Sequence, residues 1–426
     1  MQPNPSAGCD NTGELTLGEL STLPDQRLNH GKGLVPLKQP AKPHPHALHT
    51  PFTLESVPYE KHPRAIKISG ELDLIDRIRA RASSTLSRSL RLGIGDDCAI
   101  LKPPPHHDLL VTTDFSLEGR HFNRNTHSPA SIGHRTLARG LSDLAAMGAT
   151  PLAAFLSIAL PKSAARNSTW LDGFLEGFLT LANLHDVPLA GCDTSESPSD
   201  HILADIILLG SAPTNRALRR STANPGDLLY CTGALGGSAA EFALISTQKL
   251  SSRPEATHSI AAPNLSHRMN LSSRPKRSAV ERPAAPATNL HPHLFPQPRL
   301  AVGATLLRRH LATSCIDLSD GLSTDLAHLC TASNVSAELD LAALPLHPLA
   351  SSLDDCEQIN ALLHGGEDYE LLFTASAATK IPRSIAGVPI TRIGRILKPQ
   401  KNRPQMTIVL DDTTFELQPQ GWEHLK

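Results

Sequence analysis

What the chain lacks excludes several functions at once. Its seven cysteines (Cys9, Cys98, Cys192, Cys231, Cys315, Cys330 and Cys356) are odd in number and include no C-x-x-C pair. A disulfide framework and a thiolate zinc site are therefore not expected, and a reducing compartment is. No apolar run reaches the roughly 18 residues a bilayer span needs, so no membrane segment is expected. The N-terminus lacks the apolar core of a secretory signal, which makes a cytoplasmic location the expectation. Aromatics are scarce at 4%, and a net charge of −1 comes without basic–aromatic clusters, so no nucleic-acid partner is expected. Three nucleotide signatures are also missing: G-x-x-x-x-G-K-[ST], the protein-kinase catalytic loop, and G-x-G-x-x-G after a strand.

What is present suits folded domains with additions. The 426 residues suffice for two or three domains, and the 35 prolines concentrate near the N-terminus and in a middle segment. Residues 1–65 mix Pro, His, Gly, Asn and Lys without periodicity and read as a disordered extension, with His44, His46 and His49 scattered rather than metal-binding. Residues 247–293 are Ser/Pro/Arg/Ala-rich, repeat SSRP, and read as a disordered insert. Between these, strands and helices mix without strict βαβ order, which predicts two α+β domains, 66–213 and 224–426. Leu72, Ile75 and Ile78 have helical spacing. AIL (99–101) and LLVTT (109–113) are expected to pair as a hairpin. A helix capped by Ser128, with Pro129 in its first turn, should end at Gly148. A buried strand over 153–160, a helix from Ser168 to about His185 and a central strand over 201–210 follow.

Acidic residues carry the chemistry. Asp96, Asp97, Asp114 and Asp143 lie within Leu92–Pro151, Asp193 in GCDTS, Asp317 and Asp320 in IDLSDG, and Glu367 and Asp368 in GGEDYE. Ser319 is placed to cap the helix after IDLSDG. One Asp beside Gly usually marks only a turn, but here each acid ends an apolar segment. Like charges about 4 Å apart repel by roughly 4 kcal/mol at an intermediate dielectric. Without matching lysines or arginines, such acids need cations between them. Hard oxygen ligands suit Mg2+, which bridges substrate phosphates, and phosphoryl transfer depends on that neutralisation and on positioning. The glycine-rich stretches at 93–95 and 233–238 are either phosphate cradles or tight turns.

In order, LGIGDDCAIL, TTDFSLEGRHF, LSDLAAMGATP, GCDTS, RALRRSTANPGD, TGALGGSAAE, IDLSDGLSTDL, GGEDYEL and the terminal GWEH resemble the thiamine-monophosphate kinases. The resemblance runs from roughly Gly70 to Trp422, apart from the insert. It implies a two-domain AIR synthetase-like fold, with N-terminal strands forming a barrel across a homodimer and a C-terminal α+β domain. It implies ATP-dependent phosphorylation of thiamine monophosphate to thiamine diphosphate with several Mg2+ ions. By motif position, Asp97, Thr112, Thr113, Asp114, Asp143, Asp193, Asp317 and Asp320 are the implied Mg2+ ligands. Cys192, Asp193, Arg220 and Ser319 match ATP contacts, and His121, Glu367 and Trp422 match thiamine-phosphate contacts. No general base is needed, because the attacking phosphate oxygen is already ionised. Cys192 stands for a usual Gly, Gly140 for a usual Asn, and Phe295 for the first Arg of a usual R-P-x-P-R. Two alternatives stay open: a selenophosphate- or aminoimidazole ribonucleotide-type synthetase, and a non-catalytic nucleotide-binding homologue. The selenophosphate reaction relies on a reactive Cys in a glycine-rich N-terminal segment, a role Cys98 does not obviously fill.

Overall fold

A computed structural model describes residues 71–82, 89–95, 97–251 and 289–422, which belong to one unit. The 1–65 extension with its histidines, Asp96, residues 252–288 of the insert and the last residues of GWEH lie outside the described residues. The first half comprises α1 (Glu71–Ala82), β1 (Leu90–Leu92), β2 (Ile100–Leu101), β3 (His107–Leu117), α2 (Pro129–Ala146) and β4 (Thr150–Leu160). It continues with α3 (Lys162–Ala165), α4 (Ser168–Leu184), β5 (Leu189–Glu196) and β6 (Leu203–Pro213).

Four of these strands form a sheet in the order β3-β6-β4-β5, with β4 and β5 parallel and the other pairs antiparallel. β6 lies inside it, as its apolar run requires. The expected hairpin is not formed. β2 pairs with β1, while β3 pairs along its whole length with β6, from His107↔Pro213 to Leu117↔Leu203. Pro103-Pro104-Pro105 offers no amide hydrogens for a ladder, and β6 supplies 11 mostly apolar residues instead. Because strand side chains alternate, Thr112, Asp114 and Ser116 face the helices. Val111, Thr113 and Phe115 lie on the outer, exposed face.

Helix α2 is the hub. Ser128 caps it by accepting from the Ser131 amide (3.1 Å), Pro129 starts it, and Gly148 at φ 66 follows its end. It approaches α4 closely: a Cβ on Gly133 would fall 1.9 Å from the Phe174 carbonyl oxygen, and one on Gly177 1.9 Å from that of Ala130. At Gly140 a Cβ would meet Leu208 of β6 at 2.8 Å. The missing Asn side chain therefore has no space here, and glycine's lower helix propensity is exchanged for contact between helix and sheet.

The second half contains β7 (Leu228–Thr232), α5 (Gly237–Ser251), α6 (Leu300–Arg308), β8 (Ser314–Asp317), α7 (Leu322–Ser333) and β9 (Ser336–Asp340). Then come α8 (Asp355–His364), β10 (Leu371–Ala375), β11 (Ser384–Ile385), β12 (Val388–Leu397), β13 (Met406–Leu410) and β14 (Thr413–Glu416). Its sheet runs β14-β13-β9-β12-β7-β10-β8, with β11 on β12. Leu322, Leu326 and Leu329 of α7 are buried together. Ser319 does not cap α7. Its N-cap is Gly321 at φ 107, and the Asp325 carboxylate accepts from the amides of Ser319, Asp320 and Gly321 at 3.0–3.1 Å. A carboxylate reaching back from the first turn thus fixes the loop that leads into the helix by three amides.

The halves share a core, since Leu300, Val302 and Leu306 of α6 join the cluster of the first sheet. The insert limits read from sequence are too wide at both ends. α5 continues to Ser251, and Glu241 on α5 accepts from the backbone amides of His293 (2.7 Å) and Leu294 (3.2 Å). Among the described residues the four-stranded sheet is open and no closed barrel forms. No described helix is long and apolar enough to cross a membrane.

Candidate active site

A cleft of about 750 Å³ opens between β3, α2, the start of α5, the β8–α7 loop, the loop before β10 and residues 420–422. One wall is acidic, with Asp114 from β3, Asp143 from α2, Asp317 from β8 and Asp320 beyond it. His121, Glu367, Tyr369 and Trp422 also line it, with the Glu367 amide donating to the Ser319 carbonyl (2.8 Å) and the Trp422 amide to the Asp320 carbonyl (2.9 Å).

The acidic wall is held by hydroxyls. Thr112 Oγ1 donates to Asp143, and Ser142 Oγ donates to Asp317 at 2.8 Å. Burial pushes the Asp143 carboxyl up to about 7, with the Asp317 charge adding to the rise. Burial likewise raises Asp114 to about 6, opposed by Arg139 and reinforced by Asp143 and Asp205. Asp317 rises to about 6 by burial, against its bond from Ser142 and with the help of Asp114. The three carboxylates thus resist ionising together, and a hard divalent cation among these oxygens would remove that resistance. The fit is chemical: carboxylates and a threonine hydroxyl, without sulfur or imidazole.

The acids are not without basic partners, contrary to the reading from sequence. Arg135, Arg139 and Asp143 are spaced four apart on α2 and share one face. Arg135 is buried and donates to Glu367 Oε1 (2.7 Å), to the His121 carbonyl (3.1 Å) and to the His293 carbonyl. Burial would raise the Glu367 carboxyl, but Arg135 above all, with His293 and Arg139, holds it at about 2. Arg139 reaches Glu367 (3.4 Å), the Tyr369 hydroxyl (3.3 Å) and Asp114 (3.4 Å), so it links β3 to the loop before β10. Glu367 (φ 63) and Tyr369 (φ 50) hold left-handed backbone conformations, which cost a non-glycine residue about 1–3 kcal/mol each. Beside them, buried His127 and His293 meet Nε2 to Nε2 at 3.1 Å. Burial lowers them to about 4 and about 3, so both are neutral near pH 7. The glycine-rich loop before α5 is not open to a phosphate: its Gly236 and Ser238 amides bond Asp368 at 2.8 and 3.2 Å.

Of the residues singled out by sequence, Asp114, His121, Asp143, Asp317, Ser319, Asp320, Glu367 and Trp422 line the cleft. Thr112 adjoins it through Asp143. Asp97, Thr113, Cys192, Asp193 and Arg220 do not line it. Asp97 is exposed before β2. Thr113 cannot share a site with Thr112 and Asp114 through its side chain, because the period of two turns it outward. Cys192 and Asp193 lie on β5, at the sheet edge opposite β3, and burial followed by the Asp193 charge pushes the Cys192 thiol up to about 12. Arg220, between the halves, is felt by Asp143 and Asp317 through its charge. Phe295 stacks edge-on against His134 at 5.2 Å, so packing stands where a charge is usual. Cys98 is exposed and outside the cleft. Sequence reasoning missed Arg135, Arg139, His127, His293 and Tyr369. The four-residue spacing of Arg135, Arg139 and Asp143 was the available signal.

Residues 95–212 match the family described as AIR synthase related protein, N-terminal domain. The thiamine-monophosphate kinase of Escherichia coli (strain K12) is 36% identical over 361 residues, covering 83% of this chain and 98% of its own length. The crystal structure of thiamine-monophosphate kinase from Stenotrophomonas maltophilia K279a aligns with a TM-score of 0.61 at 34% identity, covering 81% of this chain and 96% of that one. AaThiL complexed with AMPPCP and TMP shares the fold at a TM-score of 0.58 and 24% identity, covering 85% and 100%. On this mixed α/β AIR synthase-like fold, the chain belongs to the thiamine-monophosphate kinase family.

Proposed function

We propose that the chain transfers the γ-phosphate of ATP to thiamine monophosphate in this cleft, giving thiamine diphosphate and ADP. The observation that carries the reading is the trio Asp114, Asp143 and Asp317, each raised by burial and by a neighbouring carboxylate, lining one cavity with Glu367, His121 and Trp422. Thr112, Asp114, Asp143 and Asp317 would hold Mg2+, with Asp320 extending the set. When bound, the ion supplies charge neutralisation around the transferring phosphates. Asp97, Thr113 and Asp193 stay outside this proposed ion set. Arg220 and Ser319 remain the proposed ATP contacts, since Arg220 acts on the acidic wall and Ser319 lines it. Glu367, fixed by Arg135, orients the acceptor together with His121, and Trp422 offers an aromatic face to its thiazolium cation. The acceptor oxygen forms its bond to the γ-phosphorus as the bond to the ADP oxygen breaks, and no side chain has to remove a proton.

The direct test supplies full-length protein with ATP, Mg2+ and thiamine monophosphate, and follows thiamine diphosphate by mass, with free thiamine and selenide as competing substrates. Folded protein that makes no diphosphate would overturn the reading.

The active form is proposed to be a homodimer. Leu109, Val111 and Phe115 project from the outer face of β3 with 48%, 60% and 62% exposure. An exposed apolar patch on a sheet whose edge strand is β3 calls for cover, and a second copy of the same sheet would close a barrel. Val111→Asp with Phe115→Asp is expected to convert a sedimenting dimer to monomer. A wild-type chain that sediments as monomer at all concentrations would rule the dimer out.

A further inference from the structure

We propose that Arg139 is the residue that receives the phosphate of thiamine monophosphate. The inference rests on the kinase reading above. The Arg139 side chain is 14% exposed and lies between Asp114 and Glu367. Its three contacts are all long, 3.3–3.4 Å, where a charge-assisted bond to oxygen would run nearer 2.7–2.9 Å. Its Nε–H is buried and meets no acceptor, although buried donors are almost always bonded. The guanidinium is therefore held in place but incompletely used, facing a cavity large enough for a ligand.

Arg135 explains why Arg139 is free to turn to a ligand. Glu367 keeps its counter-charge from Arg135 at 2.7 Å whatever Arg139 does. When Arg139 gives up its long bonds, Asp114 loses a weak partner and becomes available to the ionic wall. A phosphate oxygen pair matches the guanidinium fork, whereas a lysine ammonium offers only a point charge. The position also suits the reaction. An acceptor phosphate on Arg139 lies beside Asp114, where the γ-phosphate is neutralised, and beside Glu367, which orients the rest of the acceptor. Arg120, the other cationic side chain lining the cleft, is exposed and further out in the loop after β3.

Arg139→Gln and Arg139→Lys test this in the full chain, with melting temperature as the control for folding. For Arg139→Gln, KM for thiamine monophosphate is expected to rise about 10- to 100-fold with KM for ATP unchanged. Arg139→Lys should recover only part of the loss. By calorimetry, wild-type protein should prefer thiamine monophosphate to thiamine, and Arg139→Gln should lose that preference without weakened thiamine binding. A folded Gln variant with wild-type KM, or one in which kcat falls with KM unchanged, overturns the assignment. If the Gln variant does not fold, a Lys variant with wild-type KM does the same. Wild-type protein inactive on thiamine monophosphate would instead defeat the kinase reading itself.

Discussion

Asp114→Asn is expected to lower kcat by roughly 10²- to 10³-fold while the protein stays folded. The amide matches the carboxylate in shape, so the change removes a charge and not volume. Arg139 keeps its bonds to Glu367 and Tyr369. Ionised Asp114, Asp143 and Asp317 repel one another in a buried pocket, so removing one charge should not lower the melting temperature when no divalent cation is present. It should lower the gain in melting temperature on adding Mg2+. Turnover at the wild-type rate would take Asp114 out of the site, and a large loss of cation-free stability would make its role structural.

The same wall sets how Mg2+ acts with pH. Asp143 at about 7, and Asp114 and Asp317 at about 6, lie above the ordinary carboxylate value of about 4. A carboxyl raised on folding contributes stability that is full below about 4 and is lost as pH rises through its folded value. Buried His127 and His293 and half-buried His134, lowered by desolvation to about 4, about 3 and about 4, act in the opposite direction. Their contribution is present above about 6.5 and lost as pH falls. Cation-free melting curves mix the two, but the difference between Mg2+ and chelator isolates the carboxylates. That difference should be small near about pH 5 and level off above about pH 7.5, because the ligands must shed protons to bind. Asp114→Asn should flatten it.

Local physics made much of the fold legible. The Ser128–Pro129 start of α2, the apolar face of α7 and the apolar run of β6 were readable because neighbours within a few residues decide them. The β3–β6 ladder was not, since its partners lie up to about a hundred residues apart and nothing near 99–113 announces the pairing. In the site, the acids were recognisable from their motifs. Alternation sets the Thr113 side chain on the opposite face from that of Thr112, which the motif does not register. Arg135 and Arg139 share a helix face with Asp143, but no neighbour in sequence marks that face as buried. Their burial is imposed by Glu367 and by the segment before α6, both distant in sequence. His293 sits next to Pro-rich sequence that resembles a linker, and its bonds to Glu241 on α5 and to Arg135 and His127 show that the fold has resumed.

Arg135→Met should cost about 3–5 kcal/mol of stability and raise KM for thiamine monophosphate. Arg135 ties three segments to α2: the loop after β3 through the His121 carbonyl, the segment before α6 through the His293 carbonyl, and the loop before β10 through Glu367. Methionine fills the volume but leaves Glu367 with Arg139 at 3.4 Å as its remaining guanidinium, along with two carbonyls stripped of a donor. Most of the loss is then the penalty of a partly buried charge left half-paired rather than the value of the pair, so a second change that removes that charge should recover part of it. Arg135→Met with Glu367→Gln is therefore expected to be more stable than Arg135→Met alone. The pH dependence gives an independent check. In the wild type, burial pushes Glu367 up and Arg135 more than offsets it, holding the carboxyl at about 2. Its contribution is thus present above the ordinary value of about 4.3 and fades as pH falls toward 2. Without Arg135 the burial effect gains ground and Glu367 takes up a proton at higher pH, so the deficit of the variant should shrink as pH is lowered from 7 toward 4. Denaturant melts of the three proteins across that range decide it. A double variant no more stable than the single one, or a deficit that stays constant with pH, would show that Arg135 acts by packing and not as the counter-charge that fixes Glu367.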